Sequence, residues 1–157
     1  MLKKLLGLVW RTTPRRMRRW SALVFQPRFT VSAGAVVVDA EGRVLLLKHV
    51  FRSGAGWGIP GGFISKGEQP EEAIRRELKE ETGLELEETR FAFARTLART
   101  NHVEIIFRCR PRGHAAARSI EINRLEWFAL DRLPESLGRD QRYLIKRALG
   151  DGANEGS

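Results

Sequence analysis

The sequence predicts an α/β fold built on a mixed β-sheet. Short β-branched runs bounded by turn residues, one well-punctuated helix among them, and a second helical stretch near the end carry this reading. At 157 residues the chain fits one domain with a real core. The single cysteine, Cys109, excludes an internal disulfide and any cysteine-rich zinc site. No apolar run approaches the length that spans a bilayer, and the composition points to a cytoplasmic protein.

In chain order, residues 31–39 are apolar and β-branched, and Glu41-Gly42 is a turn. Residues 43–49 follow as a second strand, which predicts a hairpin. Residues 52–58 are glycine-rich and read as a loop leading into Ile59-Pro60-Gly61-Gly62. Pro70 suits a first helical position, and Glu71 and Glu72 suit the positive end of a helix. That helix is predicted to run to Thr82, with Gly83 as its stop. Strand-like stretches follow at residues 84–87, 91–100, 103–110 and 125–130. Pro134 opens a stretch in which Tyr143, Leu144, Arg147 and Ala148 suit a closing helix. Trp57, Phe91 and Phe93 read as core aromatics, Cys109 as packing, and His102, after Asn101, as an exposed turn residue.

Within the first helix, Glu77, Glu80 and Glu81 are spaced i, i+3, i+4 and share one face. That face adjoins the apolar stripe of Ala73, Ile74 and Leu78, while Glu72, Arg75 and Lys79 point to solvent. Carboxylates crowded at a core edge repel one another and carry a desolvation cost. A hard divalent cation such as Mg²⁺ or Mn²⁺ removes that conflict, because these ions prefer oxygen ligands. Taken alone, however, a helix rich in both charges is usually a solvated face.

The flanking residues decide between these readings. Gly62, five residues, Glu68, seven residues, and then Arg76-Glu77-Leu78-Lys79-Glu80-Glu81-Thr82-Gly83-Leu84 resemble the Nudix box at every defined position. With ordinary residue frequencies, a chance match at a given start is on the order of one in a billion. The Trp57-Gly58-Ile59-Pro60-Gly61 lead-in and the later Glu126-Trp127-Phe128 are also similar to the family, which extends the resemblance over residues 31–149. It implies a Nudix-type α/β/α sandwich and a hydrolase that cleaves a diphosphate linkage, with Mg²⁺ or Mn²⁺ as cofactor. The implied substrate is a small nucleotide, either a nucleoside diphosphate derivative or a nucleoside triphosphate.

The resemblance also implies roles for individual residues. Glu77, Glu80 and Glu81 correspond to metal-binding carboxylates, and Gly61 to a residue whose backbone carbonyl adds a ligand. Gly62, Glu68, Arg76 and Gly83 correspond to the supporting residues, with Arg76 pairing a box carboxylate to keep loop and helix aligned. Family members often recruit the general base from outside the box. Glu126 matches such a base or metal position best, Glu121 is the rival, and Glu77 stays open as the base itself. The competing reading is a catalytically silent module that senses nucleotides or binds nucleic acid. Such a module is expected to lose box carboxylates, and none is lost here.

Charge divides the chain in another way. Residues 1–30 hold eight basic residues and no acid, which leaves 20 basic against 19 acidic residues in the remainder. The predicted organisation is a basic arm at residues 1–30, the Nudix domain at 31–149 and a tail at 150–157. Leu2, Leu5, Leu6 and Val9 lie at helical spacing until Pro14 interrupts. This stripe suits docking on the domain, on a second copy in a homodimer, or on an anionic membrane surface as a peripheral anchor. Arg15, Arg16, Arg18 and Arg19 suit RNA phosphates. Deleting residues 1–28 is expected to leave hydrolysis of a small nucleotide largely intact while weakening binding to an anionic partner. That binding should fall as salt rises. Vesicle flotation and RNA gel shifts at low and moderate salt separate the two partners, and undiminished binding by the truncated protein would rule out a tether.

Overall fold

Two β-sheets lie edge to edge and meet at one corner. A computed structural model describes residues 27–50 and 56–150, together with Pro14. The apolar stripe and arginine cluster of the predicted arm, and all but Gly150 of the predicted tail, lie outside the described residues. The strands are β1 (Thr30–Val37), β2 (Val44–His49), β3 (Trp57–Gly58), β4 (Gly61–Phe63), β5 (Glu85–Leu97), β6 (His102–Arg112) and β7 (Ile122–Phe128). The helices are α1 (Pro70–Thr82) and α2 (Arg139–Leu149). One sheet has the order β4-β1-β6-β5, and the other β3-β2-β7. β1 is parallel to β6 and antiparallel to β4, so the larger sheet is mixed as expected.

The expected hairpin of residues 31–39 and 43–49 is only a corner. Its turn forms, with the Gly42 N–H donating to the Asp39 carbonyl at 3.2 Å. A single bridge, Val38 to Val44, then joins the strands before they part into different sheets. The reason is burial on both faces. Ala35, Val36 and Val37 are fully buried in β1, as are Val44, Leu45, Leu46 and Leu47 in β2. Strands that are apolar on both sides belong inside a covered layer.

Helices supply the cover. On one face Ala73, Ile74 and Leu78 of α1 pack with Ala35, Val37, Leu45 and Leu47. On the other, Leu144 and Ile145 of α2 pack with Val36, Leu46, Phe93 and Ile106. The result is the α/β/α sandwich. Among the described residues, no helix is long and apolar enough to cross a membrane.

Other departures from the sequence expectation are local. The stretches at 84–87 and 91–100 fuse into β5, whose pairing with β6 slips near Leu86/Glu88 and Phe91/Phe93. The charged residues between them look like a break, but β5 is an edge strand, where charges and bulges guard against unwanted pairing. The closing helix starts at Arg139, after the Pro134 region. β6 and β7 extend or shift the expected strands by a few residues.

α1 has the predicted limits. Pro70 is its first residue, and the Glu72 carboxylate accepts the Gln69 N–H at 3.0 Å. Gly83 ends it in the left-handed region, at φ 71°, with its N–H donating to the Lys79 carbonyl at 3.0 Å. Thr82 is fully buried, but its hydroxyl donates to the Leu78 carbonyl at 2.6 Å and accepts from the Leu84 N–H at 3.2 Å. Because Ile74 is sealed between α1 and the sheets, Ile74→Ala should lower unfolding free energy by ~2–5 kcal/mol in urea melts. Lys79→Ala, at a side chain 68% exposed, should stay within ~0.5 kcal/mol of the parent.

Candidate active site

Burial of Ala73, Ile74 and Leu78 fixes the roll of α1 and thereby the depth of each carboxylate. Glu81 is nearly enclosed at 8% exposure. The Glu77 side chain is 18% exposed and that of Glu80 is 61% exposed. The three therefore run from the core edge into solvent along one helix face.

Arg76 ties this face to the loop after β4. Its Nε and Nη2 donate to the two Glu68 oxygens at 2.8 and 3.1 Å. Its Nη1 donates to Glu77 Oε1 at 2.8 Å and reaches Glu80 Oε2 at 3.4 Å. The Ser65 N–H donates to Glu68 at 2.8 Å, and Arg76 also reaches the Phe63 carbonyl at 3.4 Å. The guanidinium, helped by the Ser65 amide, holds the Glu68 carboxyl down at about 2. In return, Glu68 and then Glu77 raise the pKa of Arg76.

The two glycines at the head of the box answer to different neighbours. A Cβ on Gly62 would lie 2.1 Å from Glu77 Oε1, so the carboxylate occupies the space a side chain would need. A Cβ on Gly61 would lie 2.4 Å from the Ala33 carbonyl oxygen. The constraint at Gly61 is thus close packing on β1, while Gly62 makes room for the acid.

The donor chemistry fits a hard cation, since Glu77, Glu80 and Glu81 offer only carboxylate oxygens on one face. Their placement is not yet that of a ligand set. Among the described residues, no three His, Cys, Asp or Glu side chains stand close enough together to hold a metal.

Glu126 stands apart from this group. It pairs across strands with Leu46, which places it on the α2 side of the layer, and its carboxylate meets Arg124 at 2.7 Å. Glu121 precedes β7, and its carbonyl accepts the Val50 N–H at 2.8 Å. The segment leading to it wraps the end of α1, with the Ala116 and Arg118 amides donating to the Thr82 and Glu81 carbonyls at 2.9 and 3.0 Å. Glu121 is three residues beyond that contact.

A cleft of about 220 Å³ opens beside Gly61 and Gly62, with Ser32, His102, Glu104 and Gln141 as its polar lining. His102 is not the exposed turn residue expected. Asn101 takes the left-handed turn position at φ 47°, and His102 starts β6, half-buried. Its ring nitrogens lie 2.7 Å from the Thr30 hydroxyl and 2.8 Å from the Ser32 hydroxyl. Gln141 accepts the Ile59 N–H at 2.9 Å, which leaves its amide NH₂ for the cleft. Next to it, Asp140 is gripped by both Arg95 Nη atoms at 2.6 Å, which lowers the pKa of its carboxyl. Arg95 also donates to Glu104 at 2.5 Å.

The remaining sequence expectations divide. Phe93 is buried, and Trp57 packs edge-on to Phe128 with ring centroids 5.2 Å apart, as core residues should. Phe91 is 64% exposed on the edge strand, against expectation. Cys109 is buried, and burial pushes its thiol up to about 12, in keeping with a packing role.

Known proteins resemble this chain in sequence and fold. The NUDIX domain family model matches residues 28–148. A MutT-like protein of Streptomyces ambofaciens is 31% identical over 127 residues, covering 81% of this chain and 80% of that protein. The crystal structure of a MutT NUDIX hydrolase from Burkholderia pseudomallei superimposes with a TM-score of 0.67 at 30% identity, covering 77% of this chain and 98% of that one. An RNA pyrophosphohydrolase of Gluconacetobacter diazotrophicus is 41% identical over 59 residues, which is 33% of this chain and 35% of that protein. With the complete box, the sandwich and these matches together, the chain belongs to the NUDIX hydrolase family.

Proposed function

We propose that this protein uses a divalent metal to hydrolyse a diphosphate linkage in a nucleoside diphosphate derivative or a nucleoside triphosphate. The observation that carries the reading is the Arg76 bridge, which holds Glu68, Glu77 and Glu80 together where the helix meets the glycine loop. Glu77, Glu80 and Glu81 would hold Mg²⁺ or Mn²⁺, with the Gly61 carbonyl as a further oxygen donor. Such an ion supplies charge neutralisation on the phosphates and a lower pKa for the attacking water.

The chain's own residues do the rest. The cleft beside Gly61 and Gly62 receives the nucleoside portion, with the Gln141 amide and the Ser32–His102 pair as its polar contacts. A glutamate takes a proton from water as oxygen attacks phosphorus, and the anhydride P–O bond breaks with its electrons on the departing phosphate. The Ala116 and Arg118 amides tie the segment before Glu121 to the end of α1, which favours Glu121 for this task over Glu126, with Glu77 as the alternative within the box. A diphosphate derivative would yield a nucleoside monophosphate and a phosphorylated remainder. A triphosphate would yield a nucleoside monophosphate and inorganic diphosphate. The RNA pyrophosphohydrolase relative adds 5′-triphosphorylated RNA to the substrates worth screening.

Two experiments test this. Glu80→Gln and Glu81→Gln should each lose most activity toward the best substrate of a Mg²⁺ and Mn²⁺ screen while keeping the parent's thermal midpoint. Full activity in excess chelator would sink the metal-dependent reading. For the base, Glu121→Gln should slow kcat by about two orders of magnitude, the usual scale of proton-transfer contributions. Glu126→Gln should do much less. The reverse ranking would return the role to Glu126, and little effect from either would assign it to Glu77.

A further inference from the structure

Among the polar side chains that line the cleft beside Gly61 and Gly62, Glu104 has no task in the reading above. In β6 it stands opposite Ser32 of β1 on one side and Arg95 of β5 on the other. Its side chain is 21% exposed, and that of Arg95 is 13% exposed. Arg95 Nε and Nη2 both reach the same carboxylate oxygen, Glu104 Oε2, at 2.5 Å. Among the described residues, Glu104 Oε1 accepts no hydrogen bond.

Neutralising Arg95 does not by itself account for this acid. Asp140 already takes both Arg95 Nη atoms at 2.6 Å. The three side chains together carry one positive charge and two negative ones. A net negative trio repels phosphate, so this part of the cleft faces the uncharged portion of a nucleotide. The walls agree with that orientation, since Ile59, Ile106 and Leu144 suit a flat ring with a polar edge. The same guanidinium also sets a donor beside the acceptor. Asp140 lies in the first turn of α2 next to Gln141, whose oxygen is committed to the Ile59 N–H at 2.9 Å. Only the NH₂ of Gln141 is left for a ligand.

We propose that Glu104 is a specificity-determining residue of the cleft, selecting a nucleobase that presents an N–H donor beside an acceptor. The base N–H would donate to Glu104 Oε1, and the Gln141 NH₂ would donate to the base acceptor. A carboxylate accepts and cannot donate, so a base that turns a lone pair toward Glu104 leaves both groups unpaired in a part-buried site. Rejection of this kind is steeper than rejection by shape, because the wrong ligand strands polar groups of the protein. Arg95 is the positioning residue. By gripping Oε2 it orders the carboxylate in advance, so that a ligand need not do so. The assignment rests on the cleft receiving the nucleoside portion and is independent of the metal-binding acids.

The test is isothermal titration calorimetry of nucleoside 5′-monophosphates with the full chain in excess chelator, so that metal-dependent hydrolysis plays no part. Each natural base is set against an analogue that keeps the ring and loses every N–H donor. Purine riboside 5′-monophosphate serves for adenine and guanine, and 2-pyrimidinone riboside 5′-monophosphate for cytosine and uracil. The tightest natural ligand should bind ~10-fold or more tightly than its analogue, a comparison that needs no variant. Glu104→Gln offers N–H groups as well as an oxygen, so it should weaken the natural ligand and bring the two within about threefold. Arg95→Lys keeps the charge but loses the fork, and it should narrow the gap as well. Glu41→Gln removes the same charge as Glu104→Gln from a side chain 65% exposed at the turn, and it should bind like the parent. Equal binding of natural ligand and analogue by the parent would overturn the proposal, as would an unchanged preference in Glu104→Gln. Ribose 5-phosphate binding as tightly as the best monophosphate would overturn it too, because the base would then go unread. If no monophosphate binds the parent, the cleft assignment falls with it, while the chelator and Glu80→Gln experiments still judge metal-dependent hydrolysis.

Discussion

Arg76 meets Glu68 on the loop and Glu77 and Glu80 on the helix, and this one guanidinium sets how far the two elements stand apart. Without a cation between them, the carboxylates would repel across the junction of β4 and α1. With it, Glu68 is held ionised far below neutral pH, and Glu77 is drawn against the Cα of Gly62. The pairing has a sign. Because the Glu68 pKa is depressed, its contribution to the junction is present above the ordinary carboxyl range and is lost only as pH falls toward about 2. The pair is part-buried, with 34% of the Arg76 side chain still exposed, and its value lies in alignment more than in stability.

The sandwich gives this junction a particular setting. α1 and its acids lie on one face of the strand layer, whereas the cleft lined by Gln141 and Leu144 lies on the α2 face. Gly61 and Gly62 are the point at which the two meet. Gly61 can lie flat against Ala33 only because it has no side chain, and its neighbour turns toward Glu77. The Arg95 clamp on Asp140 steadies the first turn of α2, so Gln141 keeps its hold on the Ile59 N–H ahead of the same glycines. Loop position is therefore fixed from both sides of the layer.

Much of this was legible in the residues, and the limits have physical causes. α1 could be read to its ends because Pro70 and Gly83 act locally, and the helical spacing correctly separated buried from exposed positions. Arg76 was expected to pair a box carboxylate and does. The parting of β1 and β2 was not legible, since a turn between two apolar runs looks the same whether or not the strands stay paired. His102 was misread for a related reason. Its place in the cleft depends on β1 lying parallel to β6, a partnership that no neighbouring residue announces. Phe91 looked like core because an edge strand and a central strand favour the same aromatic residues.

The parallel pairing of β1 with β6 also orders events in time. The His102 contacts to Ser32 and Thr30 span 70 and 72 residues, whereas the Arg76 contact to Glu68 spans eight. Closing long loops comes before any reward from the contacts they bring, so distant pairings form late. During synthesis β1 leaves the ribosome well ahead of β6, and its apolar edge must wait for a partner. The acid-bearing junction can take shape while the cleft is still open, so a folding fault in β6 would leave a chain whose charged junction is assembled but whose cleft lacks the wall that His102 and Glu104 supply.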